Sequence, residues 1–354
     1  MNRQLCFSVL TVLLLGTFFS IPSKSVAFEV AKYGSDYVGK GVGVRILSLG
    51  GAGTAAVNDV SAGFWNPAKM HLAPQKNIGI MHTESFAGAV NFDYAAGRLP
   101  TEEHNLGITM MRTGVDDIPN TQNALKDYGQ DGQPNTGDTG EGNGVFDTFA
   151  DGTSERIDEN AITFFNSSQY TVLLSYSRPL SEKMAYGANF KLMRNSIAGE
   201  SAWGLGFDVG AWYQPVTWVQ FGGMLRNATT TLVAWSTGRN EIYKPELHLG
   251  VAGNLPISAF KLELIPTADI IYFTDGRRAD ALFNIFGSSA QYAAGLELVM
   301  NDNLGLRFGT SSIEDFTAGL GISLGQARLE YGFTPGMAQS NLGDSHRVGL
   351  LWQF

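Results

Sequence analysis

The last ten residues of the chain alternate apolar side chains with polar or small ones at a period of two. Val348, Leu350, Trp352 and Phe354 fall on one face of an extended strand. A transmembrane β-barrel needs such a last strand, because that strand has to close the sheet and turn an apolar face to lipid. On these residues alone, the edge strand of a soluble sheet is an equally good interpretation.

The same alternation recurs along the chain and predicts an all-β fold, an antiparallel transmembrane β-barrel of about 14 strands. The polar faces of these segments carry Gly, Ser and Thr rather than the Lys and Glu of a solvated surface, as the crowded interior of a barrel requires. The mean hydropathy of -0.03 and the 16% of charged residues agree with alternating strands, in which apolar and polar faces cancel. The predicted strands are 77–84, 86–98, 104–113, 169–179, 183–195, 202–213, 217–226, 245–254, 261–272, 289–299, 302–311, 315–324, 326–334 and 345–354.

The predicted connections give this barrel an orientation. Every long connection, namely 114–168, 227–244, 273–288 and 335–344, is odd-numbered when the connections are counted along the chain. Outer-membrane barrels have short periplasmic turns and longer extracellular loops. The long connections are therefore expected outside the cell, with the barrel embedded in the lipid of a bacterial outer membrane.

The N-terminus predicts export. Arg3 is followed by an apolar run over 5–21 and by small residues at 25–27, which is the pattern of a cleaved secretory signal peptide at 1–27. The single cysteine, Cys6, lies inside this signal, so the mature chain is expected to have no thiol chemistry. Residues 77–354 form the predicted barrel. Residues 28–76 are interpreted as a hatch folded into its mouth, the alternative being a flexible periplasmic tail.

A run within residues 45–68 carries a family resemblance. It reads RILSLGGAGTAAVNDVSAGFWNPA and resembles the N-terminal motif of the PorV/PorQ family and its FadL-like relatives. The aromatic C-terminus also resembles the assembly signal read by the barrel-assembly machinery. The resemblance implies a fourteen-stranded outer-membrane barrel with an N-terminal hatch. The matching residues that we take as the hatch motif are Arg45, Gly50, Gly51, Asp59, Trp65, Asn66, Pro67 and Ala68.

The long connection 114–168 is acidic, with Lys126 and Arg156 among its few bases. Oxygen ligands separated by two to four residues, with intervening glycines, are what Ca²⁺ accepts on a flexible loop. The candidate calcium ligands are Asp127, Asp131, Asn135, Asp138, Glu141, Asn143 and Asp147. Neither frame that these residues allow is a complete EF-hand, so a solvated acidic loop without metal stays an equal alternative.

Two outer connections are apolar enough to form a binding surface. Their candidate contact residues are Leu232, Trp235, Leu282, Phe283 and Phe286, although these side chains could equally fold over the barrel mouth. The net charge of -9 without a basic patch argues against a nucleic-acid partner. Scattered histidines and the lack of a mature thiol argue against an enzyme, and no cofactor other than calcium is expected.

Two functions remain open. PorV/PorQ-like proteins serve protein secretion by docking secretion components or exported cargo at the cell surface, and this is the function that the resemblance favours. FadL-like proteins instead transport hydrophobic small molecules such as fatty acids or hydrocarbons. The motif and the barrel pattern are shared by both, so the sequence leaves the choice between a protein partner and a hydrophobic ligand undecided.

Overall fold

A computed structural model describes residues 30–31, 41–73, 76–86, 88–101, 103–274, 281–285, 287–336 and 343–354. The predicted signal peptide 1–27 lies outside these ranges. Fourteen antiparallel strands form a closed barrel, which confirms the predicted fold class. They are β1 (Asn77–Ser85), β2 (Val90–Pro100), β3 (Asn105–Asn120), β4 (Thr163–Ser181), β5 (Met184–Ile197), β6 (Glu200–Val216), β7 (Val219–Arg226), β8 (Glu246–Gly253), β9 (Leu262–Phe273), β10 (Ser288–Met300), β11 (Leu304–Ser311), β12 (Thr317–Leu324), β13 (Ala327–Thr334) and β14 (Ser345–Gln353).

Each strand pairs with the next along the chain, and β14 pairs with β1 from Gln353 opposite Asn77 to His346 opposite Glu84. Closure leaves neither of these terminal strands with an unpaired edge, which is the condition for a sheet to sit in lipid. The long connections all leave the same end of the barrel, hereafter the long-loop end. The opposite end is the short-turn end.

The other elements are short. Helices α1 (Val44–Leu47) and α2 (Ala62–Trp65) and a 3-10 helix (Pro67–Leu72) precede the barrel, and two more 3-10 turns cover Glu159–Ala161 and Ser258–Phe260. No helix in the described ranges is both long and apolar enough to cross a membrane. The remaining strands are Val30–Ala31, Leu125–Lys126, Arg156–Ile157, Thr231–Trp235, Asn240–Tyr243, Leu255–Ile257 and Phe283–Ile285.

Strands β3 and β4 run further toward the long-loop end than the sequence predicted. Their pairing continues past a register shift between Val115 and Ile118 to Asn120 opposite Thr163, so the connection is 121–162 rather than 114–168. Likewise, Thr231–Trp235 is not loop but a strand paired with β6 and with Asn240–Tyr243. The extension was missed because its outward positions are largely polar, so the apolar alternation stops while the backbone ladder goes on.

The outward face of the barrel is apolar along whole rows of cross-strand neighbours. One row runs across β1 to β6 through Ile80, Ala95, Met110, Val172, Leu192 and Leu205. Ile80, Met110 and Leu205 are each about half exposed, at 55%, 52% and 55%. This exposed apolar surface is what a barrel presents to lipid.

An arginine in this apolar row should be costly in lipid. We expect Ile80→Arg to lower the free energy of unfolding in lipid vesicles by roughly 2–4 kcal/mol if the row lies near the bilayer midplane, because the charge loses its hydration. The control is Glu84→Arg, on the same face of the same strand but outside the apolar rows. Urea titration of both variants measures the difference, and equal stability would show that the row does not contact lipid.

Candidate functional site

The segment 41–73 lies inside the barrel, and nearly all of its side chains are buried. Val42, Ile46 and Leu49 are fully buried, and Phe64 and Trp65 are 3% and 6% exposed. The wall has glycines where the segment touches it. A Cβ at Gly210 would lie 2.3 Å from Asn66 Oδ1, and one at Gly222 would lie 2.0 Å from the Thr54 carbonyl oxygen. The barrel interior is therefore shaped to hold this segment in one position.

Side chains of the predicted hatch motif fix the internal turns of the segment. Trp65 donates its indole N–H to the Val42 carbonyl at 2.7 Å. The Asn66 amide donates to the carbonyls of Thr54 and Ala211, and its oxygen accepts the Ala68 N–H and thereby caps the 3-10 helix that begins at Pro67. Asp59 accepts from the Ser61 backbone N–H at 2.8 Å. Gly50 has a φ of 70°, a backbone region that glycine adopts without steric strain.

Arg45 joins the segment to the barrel wall through a buried ion network. Its guanidinium donates twice to Glu297 of β10, at 2.8 and 2.6 Å, and once to the Ala56 carbonyl at 2.9 Å. Glu297 also accepts from Arg307 of β11 at 2.8 Å, and Arg307 lies 3.1 Å from Glu330 of β13. Arg45, Glu297 and Arg307 are almost completely buried. Paired, hydrogen-bonded charges are the form in which a protein tolerates ions at such depth.

A second polar anchor lies toward the short-turn end. Lys69 is fully buried and donates to the Ala55 carbonyl and to Gln220 Oε1 of β7. Gln220 also accepts from the Trp212 indole at 3.1 Å, and Ala68 packs on Trp212 and Ala185. The segment is thus held by polar contacts at two separate places on the wall.

The inner wall of β1 to β4 differs because the middle of its contact with the segment is apolar, while nearer the short-turn end Arg98 and Ser177 donate to the carbonyls of Ala73 and Ala68. Met81, Phe92, Tyr94, Met111 and Leu173 belong to one buried cluster with side chains of the segment, including Val42, Ile46, Phe64 and Met70. A lumen built only to conduct water and ions would carry polar side chains at these positions. The interior therefore has an apolar patch on β1 to β4 and a network of paired charges on β10, β11 and β13.

The candidate calcium ligands form hydrogen bonds with loop backbone and with one another. Asp127 accepts from Gly142 and Gly144, Asp138 accepts from Asp131, and Glu141 accepts from Asn135 and Gly137. The Asn143 side chain donates to Asp147 at 2.6 Å. Within the described residues, no group of three or more His, Cys, Asp or Glu side chains is placed to hold a metal ion. Calcium binding stays a prediction.

Most of the remaining candidate residues that the structure describes are exposed. Leu232, Leu282 and Phe283 are 50%, 57% and 44% exposed, whereas Trp235 packs against Met193, Ala202 and Val233, and Phe286 lies outside the described residues. On β14, Val348 and Trp352 face outward with Leu350 between them, and Phe354 is 61% exposed.

The partners of Arg45 could not be identified from the sequence pattern. Glu297, Arg307 and Glu330 are single charges on separate strands, and their proximity depends on strand register. One sequence feature does relate to this network: Gly321 lies on the strand next to Arg307, and a Cβ at this glycine would lie 2.6 Å from an Arg307 nitrogen. An arginine on the lumen face of a strand with glycine on the neighbouring strand indicates a buried guanidinium that needs space.

Comparison with known proteins places the fold. No protein-family model matches the chain, and no curated protein sequence is significantly similar to it. Among solved structures, the Pseudomonas putida toluene transporter TodX has a TM-score of 0.59 at 12% identity, over 89% of this chain and 99% of that one. The Ralstonia pickettii toluene transporter TbuX has a TM-score of 0.55 at 12% identity, with coverage of 89% and 99%. A Pseudomonas aeruginosa FadL homologue has a TM-score of 0.52 at 10% identity, with coverage of 88% and 98%. The chain shares the barrel fold of these three proteins.

The ion network should keep the segment rigid. We expect Glu297→Gln to cost roughly 3–5 kcal/mol locally, because it leaves the charges of Arg45 and Arg307 buried without their carboxylate. Hydrogen exchange in residues 44–57 should accelerate accordingly. Glu103→Gln is the control, since Glu103 forms an exposed pair with Arg178 and such pairs contribute about 0–1 kcal/mol. Unchanged exchange in Glu297→Gln would mean that the network does not hold the segment.

The acidic loop should lose order only in strong acid. A hydrogen bond from the Thr153 hydroxyl and one from the Gln130 amide lower the pKa of Asp151 from 3.8 to about 2, and the N–H groups of Gly144 and Gly142 lower the pKa of Asp127. Carboxylates with lowered pKa stabilise the folded loop above their unfolded pKa and lose this effect as the pH falls through the folded value. Pepsin cleavage within 121–162 should therefore be slow at about pH 4 and fast near pH 2. Asp151→Asn should already be cleaved faster at the higher pH, and a pH-independent rate in the parent protein would contradict the assignment.

Proposed function

We propose that this protein is an outer-membrane channel that admits hydrophobic small molecules. The observation that carries the proposal is the apolar inner wall of β1 to β4, formed by Met81, Phe92, Tyr94, Met111 and Leu173. These side chains face the lumen of a closed barrel, where hydrophobic lining has no role in passing water or ions. A hydrophobic solute would bind there by the same burial of apolar surface that now holds the segment.

The outer surface supports a membrane location. Rows of exposed apolar side chains circle the barrel, and aromatic residues such as Tyr213 and Trp218 lie near the short-turn end at 45% and 57% exposure. Aromatic girdles at the two membrane interfaces are typical of outer-membrane barrels. With this orientation the short turns are periplasmic and the acidic loop is extracellular.

The fold relatives favour the same function. Two of the proteins that share the fold, TodX and TbuX, are toluene transporters, and the similarity extends over almost their full length. Identity of 12% supports common architecture and leaves the solute of this chain open. The chemical class that the apolar wall accepts is an uncharged or weakly polar hydrophobic molecule.

The segment 28–76 is proposed to act as the hatch of this channel. Its residues 41–73 are buried against the inner wall, so the proposed passage requires contacts between segment and wall to give way. The contacts to β10, β11 and β13 are buried ion pairs through Arg45. The contacts to β1 to β4 are largely apolar and can be exchanged for contacts with an apolar solute at low cost. The passage is therefore proposed along the β1 to β4 wall.

A second candidate function, PorV/PorQ-like docking of secretion components or cargo, has its own support. Apolar side chains are exposed on the outer loops, with Val145, Phe146 and Leu282 at 59%, 49% and 57%. Exposed apolar residues in loops that need not be apolar indicate a protein-binding surface. Docking at the loops does not need the apolar inner wall, so the two functions depend on different residues.

Substitutions at two neighbouring methionines on β3 allow an experiment that distinguishes the two functions. Met111 faces the lumen and is 5% exposed, whereas Met110 faces outward and is 52% exposed. In a deletion strain complemented with Met111→Gln, uptake of a hydrophobic solute such as toluene or a fatty acid should fall roughly ten-fold per folded barrel, since a polar amide in an apolar wall costs about 1–3 kcal/mol.

Met110→Gln is the control and should leave uptake per folded barrel unchanged. Surface-displayed proteins are counted in the same strains. Loss of displayed proteins on deletion, with no change in solute uptake, would favour the docking function and overturn the proposed transport.

A further inference from the structure

The outward surface of β1 to β6 changes character in three successive cross-strand rows. The first is the apolar row from Ile80 to Leu205. The next row toward the long-loop end, two residues further on each strand, is His82, Asp93, Arg112, Tyr170, Arg194 and Trp203. The row beyond it contains Glu84, Asn91, Gly114, Ser168, Ser196 and Ser201. Two residues along a strand span about 6.6 Å, so the change from apolar to polar is abrupt.

We propose that the middle row, hereafter the interface row, binds the phosphate groups of outer-leaflet lipid head groups through Arg112 and Arg194. The inference rests on the proposed membrane location, which makes the boundary of the apolar band the level of those head groups. It adds a lipid site on the outside of the barrel, separate from the proposed channel inside.

The guanidinium groups of Arg112 and Arg194 lie on the outward surface, one row from the apolar row toward the long-loop end. Arg194 lies over the Trp203 ring, 4.7 Å from its centroid, and Trp203 is 62% exposed. An exposed Trp at the edge of an apolar band is typical of the membrane interface, and the arginine above its ring is held at that depth. The planar fork of the guanidinium is suited to bidentate phosphate recognition.

Arg112 on β3 lies directly opposite Tyr170 on β4, on the side away from Arg194. Its side chain is 33% exposed and lies 3.3 Å from Asp93, which also contacts His82 at 2.8 Å. A Cβ on Gly114 would lie 2.9 Å from an Arg112 nitrogen, so the side chain extends toward the long-loop end, away from the apolar row. Arg112 and Arg194 lie on β3 and β5, about 10 Å apart at two strand spacings, with Tyr170 between them. Head groups that carry more than one phosphate can bridge such a pair.

The neighbouring strands β7 to β9 have no comparable row among their described residues. Outward positions near the long-loop ends of β7 to β9 include Leu225, Leu247 and Tyr272. The arginines are therefore confined to the side where β3 to β6 continue beyond the apolar band. Lipid binding at this boundary would fix the depth of those long strands in the membrane.

The test measures lipid that stays with the protein. The double variant Arg112→Gln/Arg194→Gln and the parent are extracted from outer membranes in mild detergent, and bound phosphate-bearing lipid is quantified per barrel by native mass spectrometry. We expect a loss of about ten-fold, from two cations each contributing to head-group attraction. The matched control Arg156→Gln/Arg178→Gln removes two exposed arginines at the acidic loop and the short-turn end, and should retain lipid. Equal retention in all three proteins overturns the proposal.

Additional measurements distinguish failure of the lipid site from other causes of lipid loss. Heat-modifiable migration and outer-membrane fractionation report folding and location, and solute uptake reports the channel, so their loss in the parent would refute the membrane function rather than the lipid site. The single variant Arg194→Gln, whose described contact is an aromatic ring, keeps the test open should the double variant fail to fold. Displacement of lipid by millimolar inorganic phosphate would instead identify a free-anion site. Retention of a copurifying protein in place of lipid would identify a docking face, and either result contradicts the proposal.

Discussion

In lipid, every backbone N–H and C=O of a strand must find its partner on a neighbouring strand, because no water is present to replace a missing hydrogen bond. The pairing of β14 with β1 satisfies this condition for the two strands that would otherwise be edges. Closure then fixes which side chains face in and which face out, since alternation along each strand leaves no other arrangement. The apolar outer rows, the glycine-lined contacts and the buried ion network all follow from the register that closure imposes.

The interior of a closed barrel of this size has to be occupied by side chains and by an internal segment. Particular wall residues determine how the segment is positioned. Glycines at wall positions such as Gly210 and Gly222 bring the backbone of the segment against the strands. Charges enter this crowded space only with partners, as Arg45 does with Glu297 and as Lys191 of β5 does with Asp208 of β6 at 2.9 Å. An unpaired charge at this depth would lose several kcal/mol of hydration energy. Each buried pair therefore also favours the strand pairing that brings its two residues together.

The sequence predicted the fourteen strands well because lipid and lumen impose opposite demands on alternate residues. It failed where that contrast is absent: beyond Val115 on β3 and before Gln169 on β4 the outward residues are largely polar, and the ladder continues without a lipid-facing signal. Only part of the barrel interior could be predicted from the sequence. Arg45 was recognised through a motif, whereas Glu297 lies 252 residues away and becomes its partner only through strand register. Local patterns contain no information about contacts at that separation.

The two sides of the lumen hold the segment by forces of different kinds, and this difference decides where the proposed passage can open. The contact of Arg45 with Glu297 is directional and charged, and a hydrophobic solute has no group that could replace it. The contact with Met111 and Leu173 is apolar and non-directional, so a solute of similar polarity can take the place of the segment with little net loss of buried area. The segment can thus yield along β1 to β4 while it remains anchored at β10 to β13. The proposed path on that side leaves the ion pair of Arg45 with Glu297 in place.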